Sequence, residues 1–446
     1  MGNTVILLFD DIEVFTLTLI EGHELFEGVK LFHINGLTVQ LRVDKHLFRD
    51  FFQITKCFGE SQTFVNFYNT IPTMHSKLSS LKVVLAHDWL TGFRGGERVL
   101  DVFAEIFPRA PLYTLINRPG STSSLIENRK ITTSFLQNIP GIETHYRKAL
   151  PLFPKAVEAM NIEEPCDLLL SSSHCVIKGL VKPRGAKHVS YVHSPMRYMY
   201  DQFDLYFGAD ASLPIRMGGK IFRPYLTGWD IASNKNVDHF IANSQFVANR
   251  IQKYYARSSM VIHPFVDLKD FISVQKNPPQ KENYFLMVTA FAPNKRVDLA
   301  IEAFNRMKLP LKIVGSGQQE AWLKTLAGPT VEFIGHLTRQ EIVQLMAKAR
   351  AFIFPGVEDF GITPLEVLAA GTPVIAYRGG GVVESLDERV AVFFDLPEVE
   401  ALIASVEGFR ADAFDRATLH ERATKFSREK FKQDIEDSLI NLLELT

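Results

Sequence analysis

Cysteine is scarce in this sequence, with only Cys57, Cys166 and Cys175 among 446 residues. Three scattered cysteines exclude a disulfide framework and a cysteine-rich metal site, and they favour a reducing compartment. Long hydrophobic runs are missing too, because no stretch approaches the roughly 20 apolar residues that a membrane-spanning helix needs. The amino terminus lacks the basic flank and the cleavage region of a signal peptide. These absences predict a cytoplasmic protein.

An excess of charge of one sign is also absent, since the net charge is −1. A chain without a basic excess has no general attraction to nucleic acid, so any anionic ligand must bind at a local site. No His/Asp/Glu cluster has metal-ligand spacing, no Asp-x-Asp pair follows a strand of the main domains, and no Walker-type loop occurs. Gly315-Ser-Gly317 lacks the third glycine of a dinucleotide fingerprint, and we interpret it as a strand-to-helix turn. The sequence therefore predicts neither a metal nor a bound cofactor.

The length of the chain predicts two or three domains. We interpret residues 1–80 as an N-terminal extension. It contains short alternating runs such as Leu37–Val43, but residues 1–73 carry no chemical motif that we can interpret. Two alternatives stay open for these residues: a small extra domain, or untranslated sequence ahead of a true start at Met74.

From Leu81 onward, short apolar runs alternate with helical periodicity, which is the pattern of parallel strands joined by crossover helices. We therefore predict two Rossmann-like domains, over residues 81–272 and 284–426, that face one cleft across a polar linker at Ser273–Asn283. Apolar residues at helical spacing predict a C-terminal helix over residues 427–446. The predicted strands are Leu81–Ala86, Cys166–Leu170, Val189–His193 and Asp238–Ala242 in the first domain, and Tyr284–Thr289, Leu311–Val314, Val331–Ile334, Ala351–Phe354 and Val374–Tyr377 in the second.

The most specific motif is Glu358-Asp-Phe-Gly-Ile-Thr-Pro-Leu-Glu366, directly after the strand Ala351–Phe354. We expect Thr363 to cap a helix, with Pro364 at its first position and Glu366 completing a capping box. The free amides and the positive dipole end of that helix would face the cleft and suit a diphosphate. Glu358, just before the helix, is placed to accept hydrogen bonds from sugar hydroxyls. The alternatives are that Glu366 is only a cap and Glu358 only a solvated loop acid.

Other candidates follow the predicted strands. Gly95-Gly96 opens a helix, where glycine allows the backbone to approach a phosphate or sugar closely, although a turn that needs positive φ explains the pair equally well. His193 lies at the strand end expected to face the cleft, and its alternative role is that of a structural hydrogen-bonder. Lys295 and Arg296 follow a strand of the second domain, which favours phosphate binding over an ordinary lysine at a helix start.

These motifs resemble the signature of glycosyltransferase family 4, a family with the two-domain GT-B fold. The glutamates of 358–366 are followed, as in that family, by Ala370-Gly-Thr-Pro-Val-Ile-Ala376. The resemblance runs from Leu81 to the end, leaves residues 1–73 out, and is strongest to the O-antigen mannosyltransferase subgroup. The other strings that carry it are His87-Asp-Trp-Leu-Thr-Gly, Gly95-Gly-Glu-Arg98, Ser171-Ser-Ser-His174, His193-Ser-Pro-Met-Arg-Tyr198, Ala242-Asn-Ser244 and Lys295-Arg-Val-Asp-Leu-Ala-Ile-Glu-Ala-Phe304.

The resemblance implies three catalytic residues. Glu358 would hold hydroxyls of the donor sugar, Lys295 would stabilise the departing diphosphate, and His193 would lie beside the reacting sugar. It also implies a set of donor-binding residues. Glu366 would bind the ribose hydroxyls, and the backbone would approach the donor at Gly95, Gly96, Phe360, Gly361 and Ile362.

One position departs from the family pattern. The family commonly has an arginine five residues before the phosphate lysine, and this sequence has Ala290 there. Stabilisation of the leaving group then depends on Lys295, and we expect Arg296 to replace the missing cation. Loss of one charged donor at comparable sites costs a few kcal/mol, so an active enzyme needs such a replacement.

The resemblance implies a retaining, metal-independent hexosyltransferase, with mannose from GDP-mannose as the favoured donor sugar. Its expected acceptor is a lipid-linked or polysaccharide glycan at the inner face of the cytoplasmic membrane. Tyr198–Leu226, with Arg216, Lys220 and Arg223, is either a surface for lipid headgroups or glycan, or an ordinary solvated loop. Two other functions remain open. One is a nucleotide-sugar epimerase or a phosphorylase of the same fold, and the other is an inactive sugar-nucleotide-binding protein, which Ala290 would suit.

Overall fold

The computed structural model describes residues 78, 80–208 and 211–444, together with the backbone of six strands within residues 1–76. Residues 1–76 form a compact unit distinct from residues 77–446. Two of its strands pair antiparallel, and the other four form an antiparallel sheet that includes the predicted run Leu37–Val43. Met74 lies outside the described residues. The strands are β1 (Asn3–Phe9), β2 (Glu13–Leu19), β3 (Gly28–Ile34), β4 (Leu37–Val43), β5 (Phe51–Phe58) and β6 (Ser61–Tyr68).

The second unit consists of two lobes. The N-terminal lobe contains a seven-stranded parallel sheet in the order β13-β12-β11-β10-β7-β8-β9. Its strands are β7 (Val83–His87), β8 (Leu112–Thr114), β9 (Ile131–Thr133), β10 (Leu168–Ser173), β11 (Lys187–Val192), β12 (His239–Ala242) and β13 (Met260–Val261). Its helices are α1 (Gly95–Ile106), α2 (Ser124–Glu127), α3 (Ile142–His145), α4 (Phe153–Glu158), α5 (Phe203–Phe207), α6 (Leu213–Ser233) and α7 (Gln245–Tyr255).

The C-terminal lobe contains a six-stranded parallel sheet in the order β16-β15-β14-β17-β18-β19. Its strands are β14 (Phe285–Val288), β15 (Leu311–Val314), β16 (Val331–Gly335), β17 (Ala351–Phe354), β18 (Val374–Tyr377) and β19 (Ala391–Phe394). Its helices are α8 (Ile272–Lys276), α9 (Val297–Met307), α10 (Glu320–Leu326), α11 (Arg339–Lys348), α12 (Ile362–Ala369), α13 (Val382–Ser385), α14 (Val399–Glu407) and α15 (Arg416–Thr424). Two tandem α/β lobes with parallel sheets are the fold class that the sequence predicted.

Each sheet is covered on both faces, as the continuous apolar runs of its central strands require. Along β7, Val83 and Leu85 belong to one buried cluster, whereas Val84 and Ala86 belong to the cluster on the opposite face. The strands of the C-terminal lobe divide in the same way, with Phe352 and Ile353 on opposite faces. Along these buried central strands, polar groups can therefore meet a ligand at the strand ends.

The chain crosses between the lobes before the predicted linker. Phe265 packs in the core of the N-terminal lobe and Val266 in that of the C-terminal lobe. The predicted linker Ser273–Asn283 instead begins within α8, where Val274 is buried in the C-terminal lobe. A polar, proline-containing segment can also run along the surface of a domain, which is why its composition did not locate the crossing.

The last helix, α16 (Arg428–Leu442), returns to the N-terminal lobe. The predicted stripe is buried there, because Phe431, Ile435 and Leu439 join the cluster that contains α1. The second crossing lies beside the first, since the backbone amide of Val266 donates to the carbonyl of Phe426 at 2.8 Å. Two adjacent chain segments therefore connect the lobes.

Candidate functional site

The strand order places Lys295 and Glu358 at the centre of the C-terminal sheet. This order reverses between β14 and β17, so the helices that follow these two strands lie on opposite faces of the sheet, and open α/β sheets bind ligands at such a point. Lys295 follows β14 and Glu358 follows β17. Backbone packing brings the loops together, because a Cβ on Gly356 would lie 2.7 Å from Cα of Lys295. The amide of Val357 also donates to the carbonyl of Asn294 at 3.1 Å.

The two predicted catalytic side chains contact each other. Nζ of Lys295 lies 2.5 Å from Oε1 of Glu358, and both side chains are a little under one-fifth exposed. Neither charge is buried deeply enough to be isolated from water, and each neutralises the other. Lys295 can therefore exchange Glu358 for an anionic group of a ligand, and Glu358 can exchange Lys295 for a hydrogen-bond donor of a ligand.

Helix α12 begins differently from the prediction. Gly361 is its N-cap, in the left-handed conformation with φ of 87°, and no side chain caps the helix. The expected cap at Thr363 and the capping box with Glu366 are therefore wrong, because the chain reverses two residues earlier, at a glycine. Pro364 falls in the first turn instead, where a missing amide hydrogen breaks no helical hydrogen bond. The amides at the start of α12 still lie beside Glu358 and can bind an anion.

The remaining predicted residues of the C-terminal lobe have other partners. Oε1 of Glu366 accepts from Arg339 at 2.7 Å, and Arg339 also donates to Asp270. Burial opposes the charge of Arg339, but Glu366 and Asp270 outweigh it and raise the pKa of this guanidinium. Phe360 is buried and stacks on His263, with 5.2 Å between the ring centroids. Glu366 thus keeps one carboxylate oxygen for a ligand, and Phe360 anchors the loop between Glu358 and α12.

Arg296 does not join Lys295 and Glu358. It occupies the N-cap of α9 in the left-handed conformation, with φ of 49°, and its guanidinium lies 3.3 Å from Asp298. The guanidinium thus pairs with an acid of its own helix in this structure, and the expectation that Arg296 replaces the family arginine at Ala290 stays a prediction.

The N-terminal lobe presents His193 at the end of β11. Nε2 of His193 lies 2.8 Å from the hydroxyl of Ser172, which in turn lies 3.0 Å from Nδ1 of His87. Burial lowers the pKa of His193 well below its usual value, and nearby His174, His87 and Arg197 lower it further. His193 is therefore neutral at physiological pH and is held in one orientation by a chain of side chains at neighbouring strand ends.

The glycine pair lies between the two lobes. A Cβ on Gly95 would lie 3.1 Å from Cδ1 of Ile362, at the start of α12. A Cβ on Gly96 would lie 3.7 Å from Nε2 of His193. Three predicted donor-binding positions, Gly95, Gly96 and Ile362, thus lie close together with His193, and side chains larger than glycine at the first two would crowd this place.

Several residues of this region were not singled out from the sequence. Asp88 is fully buried, and its carboxylate accepts the backbone amides of residues 174–177 at 2.7–2.9 Å. It therefore fixes the loop that follows β10.

Gly380 packs against the backbone of Glu358, where an added Cβ would lie 2.4 Å from the carbonyl oxygen. The quoted strings contained Asp88, but neither its burial nor its partners can be inferred from short-range patterns.

Two further observations concern metal binding and membrane-spanning helices. Among the described residues, no group of three or more His, Cys, Asp or Glu side chains is arranged to hold a metal ion. Within the same part of the chain, every helix is too short or too polar to cross a membrane.

Two family models match the chain. One, described as Glycosyltransferase Family 4, matches residues 94–270, and the other, described as Glycosyl transferases group 1, matches residues 269–426. Together they cover both lobes almost completely and leave out residues 1–76.

Curated relatives and a solved structure are also similar. Human alpha-1,3/1,6-mannosyltransferase ALG2 is 26% identical over 231 residues, which are 44% of this chain and 56% of the relative. The O-antigen chain mannosyltransferase RfbU of Salmonella typhimurium is 30% identical over 155 residues, 32% of this chain and 43% of the relative. The chain spans about half the length of the curated relatives it matches.

Sucrose-phosphate synthase from Thermosynechococcus elongatus superposes with a TM-score of 0.63 at 16% identity, over 82% of this chain and all of that one. This similarity shows the two-lobed GT-B fold.

Proposed function

This chain belongs to glycosyltransferase family 4, and we propose that it is a retaining hexosyltransferase that moves mannose from GDP-mannose to a lipid-linked or polysaccharide acceptor. The observation that carries the proposal is the contact between Lys295 and Glu358 at the switch point, beside the start of α12. When a glycosyl phosphate bond breaks, positive charge grows on the sugar ring and negative charge on the diphosphate. The site supplies a carboxylate for the sugar and a cation for the diphosphate.

Donor binding is proposed to exchange the partners of this ion pair. The diphosphate would take Lys295 and the amides at the start of α12, while sugar hydroxyls would donate to Glu358. Because both side chains are partly exposed, the exchange requires little desolvation. The close approach of Gly95 to Ile362 would then bring the backbone of the N-terminal lobe against the donor.

His193 is proposed to act as a neutral hydrogen-bonding group beside the reacting sugar. A cationic imidazole there would oppose the positive charge that develops on the ring, and its low pKa avoids this. Retention of the anomeric configuration is carried over from the family resemblance. It requires the acceptor to attack from the face of the departing diphosphate or a covalent intermediate to form first.

Catalysis without a metal ion is part of the proposal. Lys295 and the positive end of the α12 dipole would stabilise the leaving diphosphate, which is the role that a divalent ion has in other transferases. Transfer should accordingly continue in EDTA.

Mannose is supported by the names of two relatives, which are both mannosyltransferases. An acceptor in surface glycan synthesis is supported by one of them, which acts on an O-antigen chain. GDP as the nucleotide rests on the subgroup resemblance alone.

Contact with a membrane is proposed for the outer face of α6, where a lipid-linked acceptor would be found. Leu213, Met217, Ile221 and Tyr225 are all more than 40% exposed and succeed one another at four-residue spacing along the helix. The only acid of α6 is Asp230, which is buried and paired with Lys178 at 2.8 Å. An apolar helical face without exposed acids fits a bilayer surface with anionic lipids. This supports a cytoplasmic protein at the inner face of the membrane.

The proposed function is tested by incubating the full chain with a panel of nucleotide sugars and a lipid-linked glycan acceptor. GDP-mannose should give an extended acceptor and free GDP, with similar rates in EDTA and in Mg²⁺. The variant Glu358→Ala should lose turnover on the order of 100-fold, because the sugar is no longer held at the reacting position. Its melting temperature should stay within a few degrees of that of the wild type.

The alternatives predict other products. An epimerase would leave the sugar and the nucleotide joined, and a phosphorylase would require phosphate as the acceptor. An inactive binding protein would bind the donor without turnover on any acceptor. Strict dependence on a divalent ion, or wild-type rates in Glu358→Ala, would contradict the assignment of the donor site.

A further inference from the structure

Asp359, the residue after Glu358, has its side-chain partners in the opposite lobe. Its carboxylate accepts from Arg250 at 2.7 Å and forms a second ion pair with Arg197. Its backbone carbonyl accepts from the hydroxyl of Ser244 at 2.5 Å. Asp359 is only 5% exposed, so its charge is stabilised chiefly by residues of the N-terminal lobe.

The Arg250 side chain is fixed within its own lobe. Arg250 donates to Asp201 at 2.6 Å and to the hydroxyl of Ser194 at 3.0 Å. Burial alone would lower the pKa of Arg197, but the negative charge of Asp359 and other nearby acids outweighs it and raises this pKa. Both guanidiniums are therefore charged, and that of Arg250 is already oriented to receive the carboxylate of Asp359.

Two further contacts between the lobes lie on either side of this ion-pair group. The carboxylate of Glu384 accepts the amides of Gln245 and Phe246, at the start of α7, at 2.7 and 2.9 Å. The hydroxyl of Tyr206 donates to Asn294 at 3.2 Å, directly before Lys295. The loops that carry Lys295 and Glu358 are thus both held by the N-terminal lobe.

We propose that Asp359 is a positioning residue that places Glu358 for donor binding only when the lobes are closed. A buried carboxylate is costly unless it is paired, so separation of the lobes would release Asp359 into water together with the loop that contains Glu358. Closure restores the pairs with Arg197 and Arg250 and fixes the backbone on both sides of Glu358. The site is therefore complete only in the arrangement that also excludes water from the donor. The link from Asp359 to turnover rests on the proposed function, whereas its link to lobe closure does not.

The test compares Asp359→Asn with Asp101→Asn, using the full chain. Asp101 is 7% exposed and pairs with Arg428 at 2.9 Å, so it is a similarly buried acid with an arginine partner. Its partner belongs to α16, which packs on the same lobe. Small-angle X-ray scattering without donor should show a larger radius of gyration for Asp359→Asn and an unchanged one for Asp101→Asn.

Kinetics provide the second measurement. Asp359→Asn should lower kcat/KM by on the order of 100-fold, with most of the loss in kcat, since a misplacement of about 1 Å costs that much. Arg250→Gln should reproduce both effects from the other lobe, and Arg250→Lys should recover part of each. A purely structural role would instead lower the melting temperature and leave kcat of the folded enzyme unchanged, as expected for Asp101→Asn.

Wild-type scattering and wild-type kinetics in Asp359→Asn and Arg250→Gln would overturn the inference while leaving the proposed function intact. If the wild-type enzyme transfers no sugar from any donor, the proposed function fails, and scattering alone then decides whether Asp359 holds the lobes together.

Discussion

The N-terminal lobe contains a charged pair that is buried within the lobe, whereas the C-terminal lobe keeps the charges of its site on loops at the cleft. Lys178 and Asp230 form a fully buried ion pair in the first lobe, and Asp230 also accepts from the hydroxyls of Tyr200 and Tyr255. In the second lobe, Lys295 and Glu358 are partly exposed and pair with each other. The two ion pairs therefore have different uses. The buried pair of Lys178 and Asp230 stabilises the fold, whereas Lys295 and Glu358 are accessible to a ligand.

The first test of this comparison is Lys295→Ala, for which we expect the largest effect. Turnover should fall by about 100- to 1,000-fold, because the departing diphosphate would lose the cation proposed to stabilise it. The free energy of unfolding should change by less than about 1 kcal/mol, since both side chains are partly exposed and water can hydrate the carboxylate that is left. Steady-state kinetics and urea unfolding measure the two quantities. Lys324→Ala is the matched control, because Lys324 forms an exposed ion pair with Glu320 in the same lobe; equal losses of turnover in both variants would contradict the role of Lys295.

The second test is Asp88→Asn, for which we expect a large loss of stability. Its fully buried carboxylate accepts hydrogen bonds from four backbone N–H groups. The side-chain NH2 of an asparagine is itself a donor, so at least one of these backbone N–H groups would lose its acceptor. We expect a loss of about 3 kcal/mol in the free energy of unfolding, measured in urea. Asp395→Asn, at an exposed pair with Arg378, should cost under about 0.5 kcal/mol. A stability cost for Asp88→Asn as small as that of the control would mean that the buried groups of this lobe are not structural.

The third test concerns the outer surface of the N-terminal lobe, which contains neither the buried ion pair nor the charges of the site. The double variant Leu213→Ser/Ile221→Ser should reduce binding to vesicles with anionic lipids by about 10- to 30-fold, because two apolar side chains no longer enter the bilayer surface. Co-sedimentation measures the binding. The control Val181→Ser/Leu396→Ser removes two comparably exposed side chains outside α6 and should leave binding unchanged.

Charge should contribute less to this binding than apolar contact. Lys220→Gln is expected to weaken vesicle binding several-fold at low salt and hardly at all at high salt. Arg223 is not a suitable target, because its guanidinium donates to the carbonyls of Met199 and Tyr200 instead of facing solvent. Vesicle binding that is indifferent to Leu213, Ile221 and Lys220 would exclude α6 as the membrane surface.

The alternation of apolar runs predicted most of the fold. Three strands of the C-terminal lobe have the predicted bounds, Leu311–Val314, Ala351–Phe354 and Val374–Tyr377, because each is a buried run between clear turns. Within the two lobes, the strands that were not predicted are short or lie at sheet edges. They are Leu112–Thr114, Ile131–Thr133, Met260–Val261 and Ala391–Phe394.

The candidate site was predictable only where it depends on local order. Lys295 and Glu358 could be placed together because both follow central strands, and strand ends converge in this fold. The roles of Arg250 and Asp359 could not be inferred, since the two residues are 109 positions apart and meet only when the lobes do. The start of α12 was misplaced because Thr363, Pro364 and Glu366 match a capping box, while the positive φ of Gly361 is a property of the folded loop.

The return of α16 to the first lobe has a consequence for biosynthesis. While the ribosome is still making the second lobe, the first lacks Phe431, Ile435 and Leu439, so one face of its sheet has an incomplete apolar layer. The second lobe needs no segment from this helix and can fold as soon as it leaves the exit tunnel. We therefore expect the first lobe to complete its fold after the second, and removal of α16 should impair the half of the molecule that was synthesised earlier.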